Sequence, residues 1–521
     1  MIIEPSSQAG NREPKEHQLK DDPKEVQRED HREQKASNQN ASNSLKPTHN
    51  LIARFFPKFF QPLTQNLSKR QKQSLKLGGL ALILIAISGG LGAGLATFLT
   101  SKPLQGKVLS REEALAFANG SGITANSLGI PALSRSVNIL ILGTVVLTSD
   151  LAGGADLPKG KAFNEVDSNL EGQSDAIMLV SFDPASNKLV ILSVPRDTQV
   201  EIEGMGVQKI NVANYVGGAA LSAKTTSTLL GNVPIDRYLR VNVGGFGQLI
   251  DALGGVEIYV PKRMKYQDNS QGLYINLNEG KQVLDGKKAI QYMRYRHDDL
   301  GDIGRVQRQQ TLMRSLMEQK LNLGTVVRIP EILQVLKRNV DTNLSTEEIL
   351  AVAAFAAKVG RANTKMLMVP GRFSTADEFS LSYWLVDQTK AIKLMSSYFD
   401  LTKRKSNSAS DQIPVDNSAF TPVRVAIQDS LKSKEAVQKA TKVLDKLGYE
   451  DVRIGNHPWS IALEKTQIVA QNGDLAVAQA VRDRLGIGEV VVEATGELQS
   501  DVTIRLGKDW LTFKSPESNI K

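Results

Sequence analysis

Three apolar runs constrain this chain most: Val137 to Gly143 (VNILILG), Ala176 to Phe182 (AIMLVSF) and Lys188 to Val194 (KLVILSV). Each has strand length and is continuous in Val, Ile and Leu, the pattern of strands covered on both faces. Asp183, Pro184 and Asn187 supply turn chemistry between the second and third runs, so these two read as a hairpin. Helical periodicity follows at Ala219 to Leu230 and at Phe246 to Leu253, the latter closed by Gly254 and Gly255. Val306, Met313, Leu316 and Leu321 recur at helical spacing and predict a helix over Gly304 to Asn322. Ser345 and Glu348 form a capping box for a helix ending near Gly360, and Lys365 to Val369 reads as a strand before Pro370-Gly371-Arg372. Strands and helices mixed in this way give an α/β class with an internal sheet.

At 521 residues the chain exceeds one core, and ~150 residues per domain allows about three folded units or fewer. Residues 1–74 begin with a stretch rich in Glu, Lys, Gln, Asp, Asn and Ser that cannot bury enough apolar surface to fold, and read as a disordered cytoplasmic tail. Leu77 to Leu99 contains no charged residue and is long enough for the ~20 residues of a membrane-crossing helix. Lys58, Lys69, Arg70, Lys72 and Lys76 precede it, against Lys102 and Lys107 after it, which places the tail in the cytoplasm and the rest outside. Its Gly90 and Gly94 form a small-xxx-small pair suited to a homodimer through the transmembrane helix. A catalytic domain is expected over 105–400 with its core at 137–321, then a linker at 403–418. A small C-terminal α/β domain is expected over 421–513, where strand and helix patterns alternate from Val423 to Asp509.

The absence of cysteine excludes disulfides and thiolate chemistry, and five scattered histidines leave little scope for a histidine metal cluster. The net charge of +9 suits any polyanion, so position rather than sign must identify the partner. In Tyr292-Met293-Arg294-Tyr295-Arg296, strand alternation would place Arg294 and Arg296 on one face. Asp298, Asp299 and Asp302 follow, then Arg305, Arg308 and Gln309 at a helix start, where free N–H groups also attract anions. Two readings stay open on these residues alone: a surface ion-pair network, or a site that grips an oligophosphate with arginine forks. Ser174-Asp175 opens one hairpin strand and Pro195-Arg196-Asp197 ends the other, where open sheets often carry function, and Lys209-Ile210-Asn211 follows.

Taken in order, NILILG, SDAIMLVSFDP, SVPRDTQVEI, KINVANYVGG, PIDRYLRVNVGGFGQLIDALGGVEIYVP, YMRYR and GDIGRVQRQQ resemble the LytR-CpsA-Psr (LCP) family from Val137 to Leu321. The resemblance implies a membrane-anchored phosphotransferase with an LCP-type α/β/α catalytic domain around a central mixed sheet. Its members move a glycopolymer from a polyprenyl-pyrophosphate carrier to a peptidoglycan acceptor. Carried over by position, Arg196, Arg294, Arg296, Arg305 and Lys209 would bind the pyrophosphate. Asp175, Asp302 and Gln309 would join the arginines in the catalytic set, with Asp197 and Asn211 supporting. Asp175 would also serve a Mg²⁺ cofactor. The helix holding Phe246, Leu249, Ile250 and Leu253 would line an isoprenoid tunnel or serve as ordinary core. Asp-Val-Thr-Ile-Arg-Leu-Gly-Lys-Asp at 501–509 closes a segment that resembles the LytR C-terminal domain.

Two positions depart from the family pattern. Gly143-Thr144-Val145 lacks the carboxylate of Gly-x-Asp, for which Asp150 or Asp156 is the candidate replacement, and Gln173 stands where an Arg is common. These departures motivate a second reading, a non-catalytic lipid-pyrophosphate binder or envelope scaffold. A transcriptional regulator is a third, which the apolar span opposes and for which no helix-turn-helix signature is present; no nucleic-acid partner is expected.

Overall fold

A computed structural model of the protein describes residues 109–117, 122–125, 130–145, 170–268, 273–295, 301–399, 423–455, 459, 462–497 and 500–513. All of them belong to one unit, residues 91–521. The tail, the span at 77–99 and the linker at 403–418 lie outside the described residues, among which no helix is long and apolar enough to cross a membrane.

The three apolar runs are strands β1 (Val137–Val145), β2 (Gln173–Asp183) and β3 (Lys188–Val194), and β2 and β3 form the expected hairpin, with Asn187 at φ 51° in its turn. A second hairpin, β4 (Gln199–Ile202) and β5 (Gly206–Lys209), leads to helix α1 (Val212–Leu229), strand β6 (Arg237–Asn242) and helix α2 (Val243–Ala252). Helix α1 starts earlier than its apolar periodicity indicates and breaks at Gly217 and Gly218, the latter at φ 58°. A run of short strands from Val256 to Leu284 precedes helix α3 (Gly286–Arg294) and the long helix α4 (Gly301–Lys320). Strand β7 (Val340–Thr342), helix α5 (Thr346–Val359) and strand β8 (Thr364–Met368) then complete the main layer, with the Ser345–Glu348 capping box formed.

These strands build one six-stranded mixed sheet in the order β7-β6-β1-β2-β3-β8. The β1–β6 and β3–β8 pairs are parallel and the other three antiparallel. Both faces are covered, as continuous apolar strands require. Leu140, Leu142, Leu179 and Leu192 meet Ala213, Ala220 and Ala223 of α1 on one side. Ile139, Met178, Val180 and Ile191 meet Ala351, Phe355 and Val359 of α5 and Met313 and Met317 of α4 on the other. Each buried Leu or Ile contributes about 1.5–3 kcal/mol, so this alternation along the strands fixes their register. Phe246, Leu249 and Ile250 of α2 and Leu253 at its C-cap pack into two further apolar clusters, the ordinary-core reading.

One expectation is corrected. Tyr292 to Arg294 is the end of helix α3, not a strand, and Tyr295 is its extended C-cap at ψ 130°. The local alternation of Tyr, Met and Arg satisfies a strand pattern, but Asp285 upstream caps a helix by accepting from the Lys288 amide, and Ala289 and Tyr292 bury at helical spacing. Arg294 and Arg296 therefore do not share a strand face, and Arg296 lies outside the described residues.

After β8 the chain forms a short hairpin, β9 (Gly371–Phe373) with β10 (Trp384–Val386), and helix α6 (Gln388–Tyr398). The C-terminal part is a five-stranded sheet of β11 (Val425–Asp429), β12 (Val452–Ile454), β13 (Gln467–Ala470), β14 (Glu489–Val492) and β15 (Val502–Leu506), in the order β12-β11-β15-β13-β14. Helices α7 (Lys434–Lys446) and α8 (Leu475–Leu485) pack against it, and Gly448 at φ 83° follows α7. The β12 strand is short, with two of its three residues exposed, and its Val452–Ile454 alternation is too brief to mark it in the sequence.

Candidate active site

The antiparallel register of β2 and β3 pairs Ile177 with Val194, which brings the start of one strand beside the end of the other. Asp175 and Arg196 therefore meet, although they are far apart in sequence. Pro195 has no amide to continue the ladder, and its carbonyl instead accepts from the Thr198 amide and from its Oγ1 at 2.6 Å, turning the chain. The β4–β5 hairpin then returns Lys209 to the same spot, opposite Gln199.

Asp175 lies at the centre of the site. One carboxylate oxygen is 2.5 Å from Arg196 Nη1 and the other 2.9 Å from Arg305 Nη1. Asp197 likewise faces two cations, Lys209 Nζ at 2.9 Å and Arg196 Nε at 3.5 Å. Arg305 is 3% exposed and Arg196 and Asp175 are about 15% exposed, so these charges act through a weakly screened medium. Within this set three cations face two carboxylates, leaving a net positive charge. Gln309, one turn beyond Arg305 on the same face of α4, donates to the Asp175 carbonyl at 3.4 Å. Asn211 donates its amide to the Arg196 carbonyl, and its Nδ2 donates to Gln173 Oε1 at 2.8 Å.

The cavity at this point is lined by Asp175, Pro195, Arg196, Asp197, Arg305, Val306, Phe373 and Trp384. Phe373 and Trp384 are absent from the sequence-derived set. They come from the β9–β10 hairpin, where they meet edge to face at 5.3 Å between ring centroids. The Trp384 amide donates to the Asp197 carbonyl and its indole to the Val369 carbonyl, which ties the hairpin to the site. Trp384 is one of three tryptophans in the chain, the one signal that singles it out in the sequence.

The remaining candidates divide. Arg294 ends α3, half-buried and outside the residues lining the cavity. Asp302 is in the first turn of α4, its side chain outside the described part. Arg308 is 8% exposed, donates to the Tyr295 carbonyl and lies 5.5 Å over the Tyr295 ring, so it fastens the end of α3 to α4.

The donor set does not fit a divalent cation well. Mg²⁺ demands octahedral oxygen ligands, whereas both oxygens of Asp175 face guanidiniums and Asp197 faces Lys209 and Arg196. Among the described residues no group of three or more acidic or histidine side chains could hold a metal. Asp150 and Asp156 lie outside the described residues. The arrangement instead suits an anion with several oxygens, each able to take a guanidinium fork or the Lys209 ammonium.

Residues 111–398 match the model of the LytR_cpsA_psr family, and residues 422–510 match that described as LytR cell envelope-related transcriptional attenuator. A protein from Oceanobacillus iheyensis, named polyisoprenyl-teichoic acid–peptidoglycan teichoic acid transferase TagU, is 32% identical over 289 residues, 54% of this chain and 80% of that one. Regulatory protein MsrR from Staphylococcus aureus is 36% identical over 209 residues, 40% of this chain and 62% of that protein. The crystal structure of TagV from B. subtilis is 26% identical, covering 51% of this chain and 98% of that one, with a TM-score of 0.41.

Proposed function

The chain belongs to the LytR-CpsA-Psr family, and on that premise we propose that it transfers a glycopolymer from a polyprenyl-pyrophosphate carrier to a peptidoglycan hydroxyl. The observation that carries the proposal is the Asp175 carboxylate held between Arg196 and Arg305 at the cavity. A pyrophosphate competes for both guanidiniums and for Lys209. As its oxygens take the arginines, Asp175 is freed from both and stands beside the reacting centre. The acceptor hydroxyl oxygen attacks the phosphorus that bears the sugar, its proton passes to Asp175, and the bridging P–O bond breaks. The products are a sugar phosphodiester on peptidoglycan and polyprenyl phosphate. The guanidiniums stabilise charge on the phosphoryl oxygens and the leaving phosphate. Arg294, Arg296 and Asp302 are assigned to the same site by family resemblance, and Asp197 and Asn211 hold Lys209 and Arg196 in place.

The residues 77–99 are proposed as a single-pass anchor with both folded parts extracytoplasmic, and Gly90 and Gly94 as a homodimer contact within it. A Mg²⁺ ion, expected from the resemblance and from the aspartates beside the arginines, takes no part in this proton transfer or bond cleavage. Mass spectrometry of the full-length protein incubated with a polyprenyl-pyrophosphate oligosaccharide and peptidoglycan glycan tests the proposal. Transfer is expected to release polyprenyl phosphate, whereas a non-catalytic binder retains the intact lipid and releases none.

A further inference from the structure

The helix that carries Arg305 and Gln309 is held by the C-terminal domain as well as by its own sheet. Strand β8 is one edge of the six-stranded sheet and β14 one edge of the C-terminal sheet. Just after β14, Glu493 makes a parallel bridge to Met366 of β8, and the Ala494 amide donates to the Met366 carbonyl at 2.9 Å. The same segment reaches α4 twice. Gln307 donates to the Gly496 carbonyl at 2.9 Å, and Arg314 Nη1 is 2.7 Å from Glu493 Oε2. Ala494, 1% exposed, packs with Val306 and Trp384, two of the residues lining the cavity.

The docking is built rather than incidental. Glu493 is 4% exposed and lies between Arg314 of α4 and the fully buried Arg505 of β15, at 2.7 and 3.5 Å. Burial alone would raise its carboxyl, yet Arg314 and Arg505 hold it down at about 2. A second contact, on α6, pairs Lys390 with Asp501 at 3.1 Å and Lys393 with Asp474 at 2.5 Å, and Tyr398 donates to the Gly473 carbonyl.

We propose that the C-terminal domain is a positioning part of the transferase site: Glu493 and Ala494 fix α4 through Arg314 and Val306, so that Arg305 stands at the phosphate. This rests on the function proposed above. Residues 493 to 496 touch α4 at Gln307 and Arg314, on either side of Gln309 and within three turns of Arg305. A shift of about 1 Å in a positioning element can cost ~10²-fold in rate.

The test compares full-length wild type with Glu493→Ala, Arg314→Ala, Arg314→Lys and a surface control, Lys508→Ala, whose ion pair to Glu464 is exposed in the same domain. Turnover of the lipid-linked oligosaccharide and hydrogen exchange of the 305–314 amides are both read. Glu493→Ala is expected to lower kcat about 10- to 100-fold with KM within about twofold, and to speed exchange in α4. Arg314→Lys is expected to retain most of kcat, and Lys508→Ala all of it. If Glu493→Ala does not fold, Arg314→Ala carries the comparison. Normal kcat in a folded Glu493→Ala, with or without faster exchange, overturns the proposal while leaving the transferase reading intact. If wild type itself shows no turnover, the transferase reading fails, and inorganic pyrophosphate affinity replaces kcat. An affinity equal to wild type in Glu493→Ala then overturns the positioning role as well.

Discussion

Replacing Asp175 by Asn is expected to tighten inorganic pyrophosphate binding while slowing turnover. Asp175 occupies Arg196 and Arg305 at 2.5 and 2.9 Å, so a pyrophosphate must displace it and then sit beside its charge. A carboxylate about 5 Å from a bound phosphate charge repels it by ~3 kcal/mol at an effective dielectric near 20. Removing that charge is therefore expected to lower the pyrophosphate Kd at least ~10-fold, a factor of ten being about 1.4 kcal/mol. The free protein is expected to lose stability, because two little-exposed guanidiniums are left without their shared carboxylate, at a cost of about 3–5 kcal/mol. Titration calorimetry of wild type and variant against pyrophosphate, in EDTA and again in Mg²⁺, reads the affinity, and thermal unfolding reads the stability. Binding that weakens in the folded Asp175→Asn protein would refute the competition argument. If the weakening occurs only with Mg²⁺ present, Asp175 is a metal ligand instead.

Acid is expected to loosen the C-terminal domain. The Glu493 carboxyl titrates at about 2 in the fold against an ordinary 4.5, a depressed value. Its contribution is therefore complete above pH 4.5 and lost as pH falls from there towards 2, about 3 kcal/mol in all. Asp501, also held at about 2 against its burial by Arg424 and Lys390, weakens over a similar window, so proteolysis between 399 and 423 followed by gel filtration should separate the parts only at acid pH. Asp341→Asn leaves the buried Arg240 guanidinium, 6% exposed and 2.8 Å through Nε from the carboxylate, without its opposite charge, and is expected to cost about 3–5 kcal/mol in denaturant titrations. Gly371→Ala places a methyl against the Leu385 carbonyl and 2.6 Å from Trp384 Nε1, which should displace the β9–β10 hairpin and change Trp384 fluorescence without unfolding the sheet.

The centre of the sheet was legible because β1, β2 and β3 are apolar on both faces and occur where the runs VNILILG, AIMLVSF and KLVILSV lie, whereas β6 (RYLRVN) and β7 (VDT) carry charged residues and no such run. Asp175 and Arg196 were legible as neighbours because strand ends meet when a hairpin closes, whereas Lys209 arrives on a second hairpin that its sequence does not announce. Arg294 was misplaced because Tyr-Met-Arg-Tyr-Arg alternates locally, and the decision for helix came from Asp285 outside that window. Phe373 and Trp384 were missed because a three-residue strand offers too short a pattern to read. The join between Met366 and Glu493 involves two sheet edges more than a hundred residues apart, and neither edge carries a mark of its partner in sequence.

The most direct measurement is the rate of polyprenyl phosphate release by wild type and by Arg305→Ala, with lipid-linked oligosaccharide and peptidoglycan glycan as substrates. Arg305, 3% exposed and 2.9 Å from Asp175, cannot be replaced by a solvent cation. The proposed mechanism expects release by wild type and a fall of about 10²–10³-fold in kcat for Arg305→Ala, the loss typical of one donor to a developing charge. Undiminished release by a folded Arg305→Ala, or tight binding of the lipid by wild type with no release, would contradict it.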